Sequence, residues 1–178
     1  MHVVVGLGNP GPTYRDTRHN IGHRVVEQLA ATLGASWQRE GRALLARAAW
    51  RDAPVVLAVL LGFMNESGPV LAGALERLGA GSGDVILVHD DIDLPLGVVR
   101  VRMRGGHGGH NGVRSVLETL QTEEIRRVKL GVGRPDSREQ VVDHVLTAFT
   151  PDEEPAVRAA VTEAAERVLA LVHTPSRS

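Results

Sequence analysis

Cysteine, aromatic residues and long apolar runs are absent or scarce in this 178-residue sequence. The lack of cysteine excludes disulfides, thiol nucleophiles and Cys-based zinc sites. The aromatic content of 3% argues against a stacking platform for single-stranded nucleic acid. No apolar run approaches the ~20 residues of a membrane span, and the N-terminus lacks the basic region and apolar core of a signal peptide. We therefore expect a cytoplasmic protein.

The net charge of the sequence is also close to zero, at −1. Any nucleic-acid site must then be a local basic patch rather than a property of the whole surface. The length suits one domain with a sizeable core, and no internal repeat or low-complexity segment divides it. We predict a single domain over residues 1–178.

The hydrophobic pattern alternates between strand-like and helix-like segments. Short apolar or alternating runs predict strands at 3–5, 43–50, 55–61, 85–88, 98–103 and 125–131. Helical spacing of apolar residues predicts helices at 21–33, 64–79, 112–121 and 152–172, with a shorter one at 137–146 capped by Ser137. This order is typical of an α/β protein with three layers, in which helices cover both faces of a twisted, mixed and largely parallel sheet.

His19 is the first candidate for chemistry. It lies in the segment Thr-Arg-His-Asn (17–20), between a glycine-rich turn and the first predicted helix. A helix N-terminus disfavours positive charge, so we expect a neutral ring there, as a general base requires. A lone histidine at such a place is more often a cap or a core residue, so further groups must support the interpretation.

Asp90 could supply the acceptor that orients His19. It directly follows the buried strand 85–88, and ligand sites of open α/β sheets lie at the carboxyl ends of strands. Asp91 and Asp93 are better explained by a turn. Asn65, just after another apolar strand, is either an ordinary helix N-cap or an amide that holds a polar substrate group or a water.

The glycine-rich run at 105–112 precedes a predicted helix, where backbone N–H groups could face an anion. Basic side chains surround it and form a local patch: Arg100, Arg102, Arg104, His107, His110 and Arg114. Three alternating arginines are also common on a solvated strand face. That simpler explanation does not account for the glycines.

Two other functions are weaker. Residues 6–11 match the dinucleotide fingerprint G-x-G-x-x-G, but Pro10 occupies the turn, the helix starts late and the acidic residue that binds ribose is missing. A metal-dependent esterase could use His89, Asp90, Asp93 and the histidines at 107–110. Their spacing matches no ligand pattern, so we expect no metal and no cofactor.

Taken in order, the motifs GLGNPG with a following tyrosine, TRHN, FMNxSG, DDxDLPLG, GGHGGHNG and GVGRP resemble the bacterial-type peptidyl-tRNA hydrolases. The resemblance extends from about Val3 to Phe149, and the final helix also fits. It implies a monomeric, metal-free α/β enzyme that cleaves the ester between a peptide and the terminal ribose of tRNA. Such an enzyme recovers tRNA from peptidyl-tRNA released prematurely by ribosomes.

The resemblance also assigns roles to residues of this sequence. It implies that His19 is the catalytic histidine, that Asp90 keeps it basic and that Asn9 helps to distinguish blocked from free aminoacyl-tRNA. The residues implied to hold the substrate are Tyr14, Phe63, Met64, Asn65, His110 and Asn111. The residues implied to contact phosphates of the acceptor stem are Arg100, Arg102, Arg104, Arg114 and Lys129.

Two departures from the family pattern do not touch the proposed catalytic pair. Leu61-Gly62 stands where the family often has Pro-Thr, and Lys129 stands where arginine is common. Lysine keeps the charge but loses the bidentate fork, which weakens a phosphate contact. The main alternative is a non-catalytic RNA-binding protein on the same scaffold, although such a protein would have no need of the base.

Overall fold

The computed structural model describes residues 1–173. The strands are β1 His2–Gly6, β2 Trp37–Glu40, β3 Ala43–Trp50, β4 Ala53–Leu60, β5 Val85–Asp91, β6 Val99–Arg102 and β7 Arg126–Gly131. The α-helices are α1 Ile21–Leu33, α2 Ser67–Leu78, α3 Asn111–Leu120, α4 Val141–Val145 and α5 Glu154–His173. Within this part of the chain, no helix is long and apolar enough to cross a membrane.

The strands form one seven-stranded sheet in the order β2-β3-β4-β1-β5-β7-β6. The central strands β4, β1, β5 and β7 are parallel, whereas β2–β3, β3–β4 and β6–β7 pair antiparallel at the two edges. Helices α1 and α5 pack on one face, while α2 and α3 pack on the other. The predicted α/β fold with a mixed, largely parallel sheet is therefore confirmed.

Three local predictions need correction. The edge strand β2 (Trp37–Glu40) was not predicted, because its sequence is polar and it gains strand structure only by pairing with β3. The helix predicted at 137–146 is a 3-10 turn followed by the single turn α4, and Ser137 makes no side-chain cap. The strand predicted at 98–103 is the shorter β6, and Met103 lies beyond its end and is exposed.

Two helix starts also differ from the sequence prediction. Helix α2 follows a 3-10 turn at Met64–Glu66, in which the Glu66 carboxylate accepts the Phe63 N–H at 2.9 Å, so Asn65 is not the N-cap. Helix α5 begins at Glu154, two residues later than predicted. Pro155 then falls in the first turn, where its missing N–H costs nothing.

A close contact between α1 and the sheet places residue 19 at the carboxyl ends of the central strands. A Cβ atom at Gly6 would lie 2.4 Å from the carbonyl oxygen of Gly22, and one at Gly22 would lie 2.3 Å from that of Val88. Only glycine allows the start of α1 to approach β1 and β5 so closely. The first glycine of the GLGNPG motif is thus explained by helix–strand packing.

Candidate active site

A cleft of ≈ 370 Å³ opens at the carboxyl ends of β1, β5 and β7. His19 enters it from a 3-10 turn at Arg18–Asn20, directly before α1. Asp90 comes from the end of β5, and His110 from the residue before α3. The sheet therefore brings together groups that are 71 and 20 residues apart in the chain.

His19 and Asp90 form a partly buried hydrogen-bonded pair. The Nδ1 atom of His19 lies 2.8 and 3.0 Å from the two carboxylate oxygens of Asp90, whose side chain is 2% exposed. A carboxylate can only accept, so Nδ1 carries the proton and donates it. The lone pair is then on Nε2, on a ring that lines the cleft. The predicted proximity of the two residues is confirmed.

His110 is a second donor to Asp90, which sequence reasoning did not anticipate. Its Nδ1 accepts the N–H groups of Gly112 and Val113 at 3.1 and 3.2 Å and so caps α3. With Nδ1 used as an acceptor, the proton is on Nε2, which donates to Asp90 Oδ1 at 2.8 Å. Burial alone would raise the pKa of Asp90, but its two histidine partners hold that pKa well below its usual range.

His89 completes the surroundings of Asp90. Its Nδ1 donates to the backbone carbonyl of Asp90 at 2.8 Å, and its ring lies edge-on to His110 with 4.8 Å between centroids. Burial lowers the pKa of His89 to about 3, so the ring stays neutral at physiological pH. His89 therefore packs against His110 as a neutral ring and helps to position Asp90.

The site also bears on the metal hypothesis. In residues 1–173, His19, Asp90 and His110 bring potential ligand atoms within 4.8 Å of one another. However, Nδ1 of His19 and Nε2 of His110 carry the protons donated to Asp90, and His110 could release its proton only at the cost of the α3 cap. Asp93, which the metal hypothesis invoked, instead pairs with Arg134 and forms a turn with Asp91. The donor set suits a hydrogen-bond relay rather than a cation.

Three asparagines line the same cleft. Asn9 is 8% exposed, and its Oδ1 accepts the Met64 N–H at 2.8 Å, while Asn65 and Asn111 are exposed at the starts of helical segments. Each offers both a donor and an acceptor. They provide the cleft with groups able to bind a polar substrate.

Apolar side chains form the walls of the cleft. Phe63 is 53% exposed and contacts Tyr14 edge-on with 6.3 Å between centroids, so Tyr14 supports the wall from outside the cleft. Val142 in α4 and Leu146 just after it also line the cleft and are exposed. Sequence reasoning missed this second wall, although exposed apolar residues in a short helix could have indicated it.

A family model described as peptidyl-tRNA hydrolase matches residues 3–177. The chain belongs to the peptidyl-tRNA hydrolase family. It is 42% identical to the peptidyl-tRNA hydrolase of Geobacillus thermodenitrificans over 176 residues, which cover 98% of this chain and 95% of the relative. It is 43% identical to that of Nitrobacter hamburgensis, with 97% and 84% of the two chains covered.

The fold matches a solved structure of the same family. The crystal structure of peptidyl-tRNA hydrolase from Acinetobacter baumannii superposes with a TM-score of 0.91 at 33% identity, covering 97% of this chain and 88% of that one. The resemblance inferred from the six motifs is therefore confirmed over nearly the whole chain.

In this member of the peptidyl-tRNA hydrolase family, the glycine-rich run does not provide the anion site expected at the start of α3. The amides of Gly112 and Val113 already donate to His110, and that of Gly109 donates to His107. That expectation was wrong because an imidazole, rather than a ligand, satisfies the helix terminus.

Arg127 holds the other end of the same run. Its side chain is buried and donates to the carbonyls of Gly105 and Gly106 at 2.8 and 2.9 Å. Sequence reasoning gave it no role. The alternation along β7 could have indicated it, because Arg127 shares a sheet face with the cleft-lining Lys129.

The predicted basic residues lie beside the cleft. Arg100 is paired in register with Lys129, so both lie on the same face of the sheet, and Arg102 is paired in the same way with Arg127. Arg102 and Arg104 are exposed. We call Arg100, Arg102, Arg104 and Lys129 the basic strip. Arg114 lies apart on α3, where it forms an i,i+4 pair with Glu118.

Proposed function

We propose that this chain hydrolyses the ester bond between the peptide and the terminal ribose of peptidyl-tRNA. The observation that carries the proposal is the state of His19: its Nδ1–H is committed to Asp90, and its Nε2 lone pair belongs to a ring lining an open cleft. Family membership supplies the substrate class.

In the proposed reaction, His19 Nε2 takes a proton from a water as the water oxygen bonds to the ester carbonyl carbon. The bond to the ribose oxygen then breaks, and the proton passes from His19 to that oxygen. Asp90 stays ionised and stabilises the imidazolium that forms between these steps. General-base assistance of this kind is worth about 10²–10⁴-fold.

Asn9 is the best-placed donor for the carbonyl oxygen, because its Oδ1 is bound to Met64 and its Nδ2 is left for a ligand. A preorganised donor to a developing oxyanion contributes about 10²–10³-fold. We assign Asn65, Asn111 and Phe63 to holding the peptide and the acceptor end, with Tyr14 supporting Phe63 from outside the cleft. Met64 and His110 are both mostly buried, so we assign them to supporting the residues that contact the substrate.

We propose that the basic strip and Arg114 bind phosphates of the acceptor stem. The strip adjoins the cleft through Lys129, which lies 3.7 Å from Asp91 and is 25% exposed. Contacts with phosphates would make affinity fall with salt. We further propose that the protein acts as a monomer in the cytoplasm, without metal or cofactor, on peptidyl-tRNA lost from ribosomes.

A comparison of two substrates tests this function. N-acetyl-aminoacyl-tRNA and the same tRNA with a free amino group would be incubated with the protein, each with and without EDTA. We expect rapid release of tRNA from the blocked substrate alone, unaffected by EDTA. Loss of activity in EDTA would favour the metal-dependent esterase. Tight tRNA binding without cleavage would favour the RNA-binding alternative.

A further inference from the structure

Asn20 is a buried polar residue that the proposed reaction does not use. It is 1% exposed and directly follows His19 in the chain. Its side chain makes two hydrogen bonds to the main chain of Asn9: the Asn9 N–H donates to Oδ1, and Nδ2 donates to the Asn9 carbonyl, both at 2.9 Å. The two bonds together fix the position and the tilt of the Asn9 backbone.

The sequence leaves room for this pairing at Gly8. A Cβ atom at Gly8 would lie 2.9 Å from Cγ of Asn20 and 2.6 Å from Nε2 of His23. Any side chain at this position would therefore push Asn20 away from Asn9. The second glycine of the GLGNPG motif is thus explained by the approach of Asn20.

The side chain of Asn9 is fixed at a different point. Its Oδ1 accepts the Met64 N–H at 2.8 Å. This bond fixes the rotation of the amide and therefore the direction in which its Nδ2 points. Within residues 1–173, this Nδ2 donates to no other group, and Asn9 lines the cleft. Asn20 and Met64 therefore hold Asn9 from two sides and leave one N–H₂ group for a ligand.

We propose that Asn20 is a positioning residue that holds the Asn9 amide in register with His19. The 3-10 turn at Arg18–Asn20 then sets both the base and a donor, through two adjacent residues. This inference rests on the proposed function, in which Asn9 contacts the substrate. Without the two bonds from Asn20, Asn9 itself keeps only the bond to the Met64 N–H among residues 1–173. A displacement of about 1 Å is enough to cost on the order of 10²-fold in rate.

A double-mutant cycle tests this role, with kcat/KM for N-acetyl-aminoacyl-tRNA as the readout. The variants are Asn9→Ala, Asn20→Ala and the double variant, with thermal melting to confirm that each folds. Asn20→Asp is a second, more conservative variant. It keeps the size of the side chain and the acceptor for the Asn9 N–H, but it places an oxygen instead of an N–H₂ group against the Asn9 carbonyl. Thr17→Val is the matched control: Thr17 is buried in the same loop but bonds to the Tyr14 carbonyl instead of Asn9.

We expect Asn9→Ala to cost about 10²-fold in the wild-type background and less than about tenfold once Asn20 is replaced. In the Thr17→Val background, Asn9→Ala should keep its full cost. Equal costs in the wild-type and Asn20 backgrounds, with an active wild type, would overturn the positioning role alone. An inactive wild type would overturn the proposed function and this role with it.

Discussion

At the scale of single residues, the site depends on one carboxylate that serves two histidines. Asp90 accepts from Nδ1 of His19 and Nε2 of His110, and its depressed pKa keeps it ionised. An ionised, buried Asp90 fixes both tautomers. The base of the reaction is therefore set by a hydrogen-bond pattern rather than by the identity of His19 alone.

The variant Asp90→Asn tests this dependence. An amide of the same shape can accept from one histidine but must turn an N–H₂ group toward the other, which forces one ring into the wrong tautomer. We expect kcat to fall by about 10²–10⁴-fold with a small change in KM, measured by steady-state hydrolysis. A loss of less than tenfold would contradict the role of Asp90.

The sequence allowed only part of the site to be predicted. His19 and Asp90 could be paired because each ends or starts an element at the carboxyl edge of the sheet. The bond from His110 to Asp90 and the carbonyl contacts of Arg127 could not, because they depend on the path of the glycine-rich run. The path of this run is set by tertiary contacts, which produce no periodic pattern of residues in the sequence.

At the scale of elements, α3 depends on an unusual cap. His110 occupies the N-cap position, where serine, threonine, aspartate and asparagine are the preferred residues. The same ring reaches Asp90, so the start of α3 and the catalytic pair are joined through one side chain.

Two substitutions separate these tasks. His110→Asn restores an N-cap acceptor but cannot reach Asp90, whereas His110→Ala loses both. We expect both variants to lose activity, and we expect His110→Ala to be less stable than His110→Asn by about 1 kcal/mol in urea unfolding. Equal unfolding free energies of the two variants would show that a side-chain acceptor at residue 110 does not stabilise α3.

A separate prediction concerns the binding of RNA at the edge strand β6. Replacing Arg102 and Arg104 by alanine should raise KM and make the salt dependence of tRNA binding less steep, because each lost phosphate contact reduces the slope by about 0.7–0.9. Arg167→Ala is the control, because Arg167 is exposed on α5, on the other face of the sheet. An unchanged slope in the double variant would place β6 away from the RNA.

At the scale of the whole molecule, buried histidines make stability depend on pH. Burial lowers the pKa of His23 from 6.5 to about 4 and that of His89 to about 3. Below pH 6.5 these histidines bind protons in the unfolded chain but stay neutral in the folded chain. The stabilisation is therefore complete above that pH and is lost as the pH falls toward the folded-state values.

The variant His23→Leu should flatten this dependence. Each histidine contributes a slope of at most about 1.4 kcal/mol per pH unit, and the variant removes one of them. Urea unfolding of both proteins between neutral pH and pH 4 measures the slope. Parallel curves would contradict a neutral, buried His23.

The overall architecture could be predicted well because it rests on short, fully apolar strands and on the helical spacing of apolar residues. Val3–Val5 and Val85–Val88 are buried strands, and the i, i+4 spacing from Ile21 predicts α1. The strand order could not be predicted, since it requires knowing that β4 and β5 both pair with β1. Strand β2 (Trp37–Glu40) could not be predicted either, because it lacks an alternating apolar pattern and becomes a strand only by pairing with β3.

The central claim is that His19 acts as the base, and one measurement tests it most directly. Single-turnover cleavage of N-acetyl-aminoacyl-tRNA would be followed with wild type and with His19→Ala, and tRNA affinity would be measured in parallel. We expect His19→Ala to lose cleavage by about 10²–10⁴-fold and to bind tRNA as the wild type does. Cleavage at the wild-type rate, or a collapse of binding together with activity, would contradict the assignment of His19 as the base.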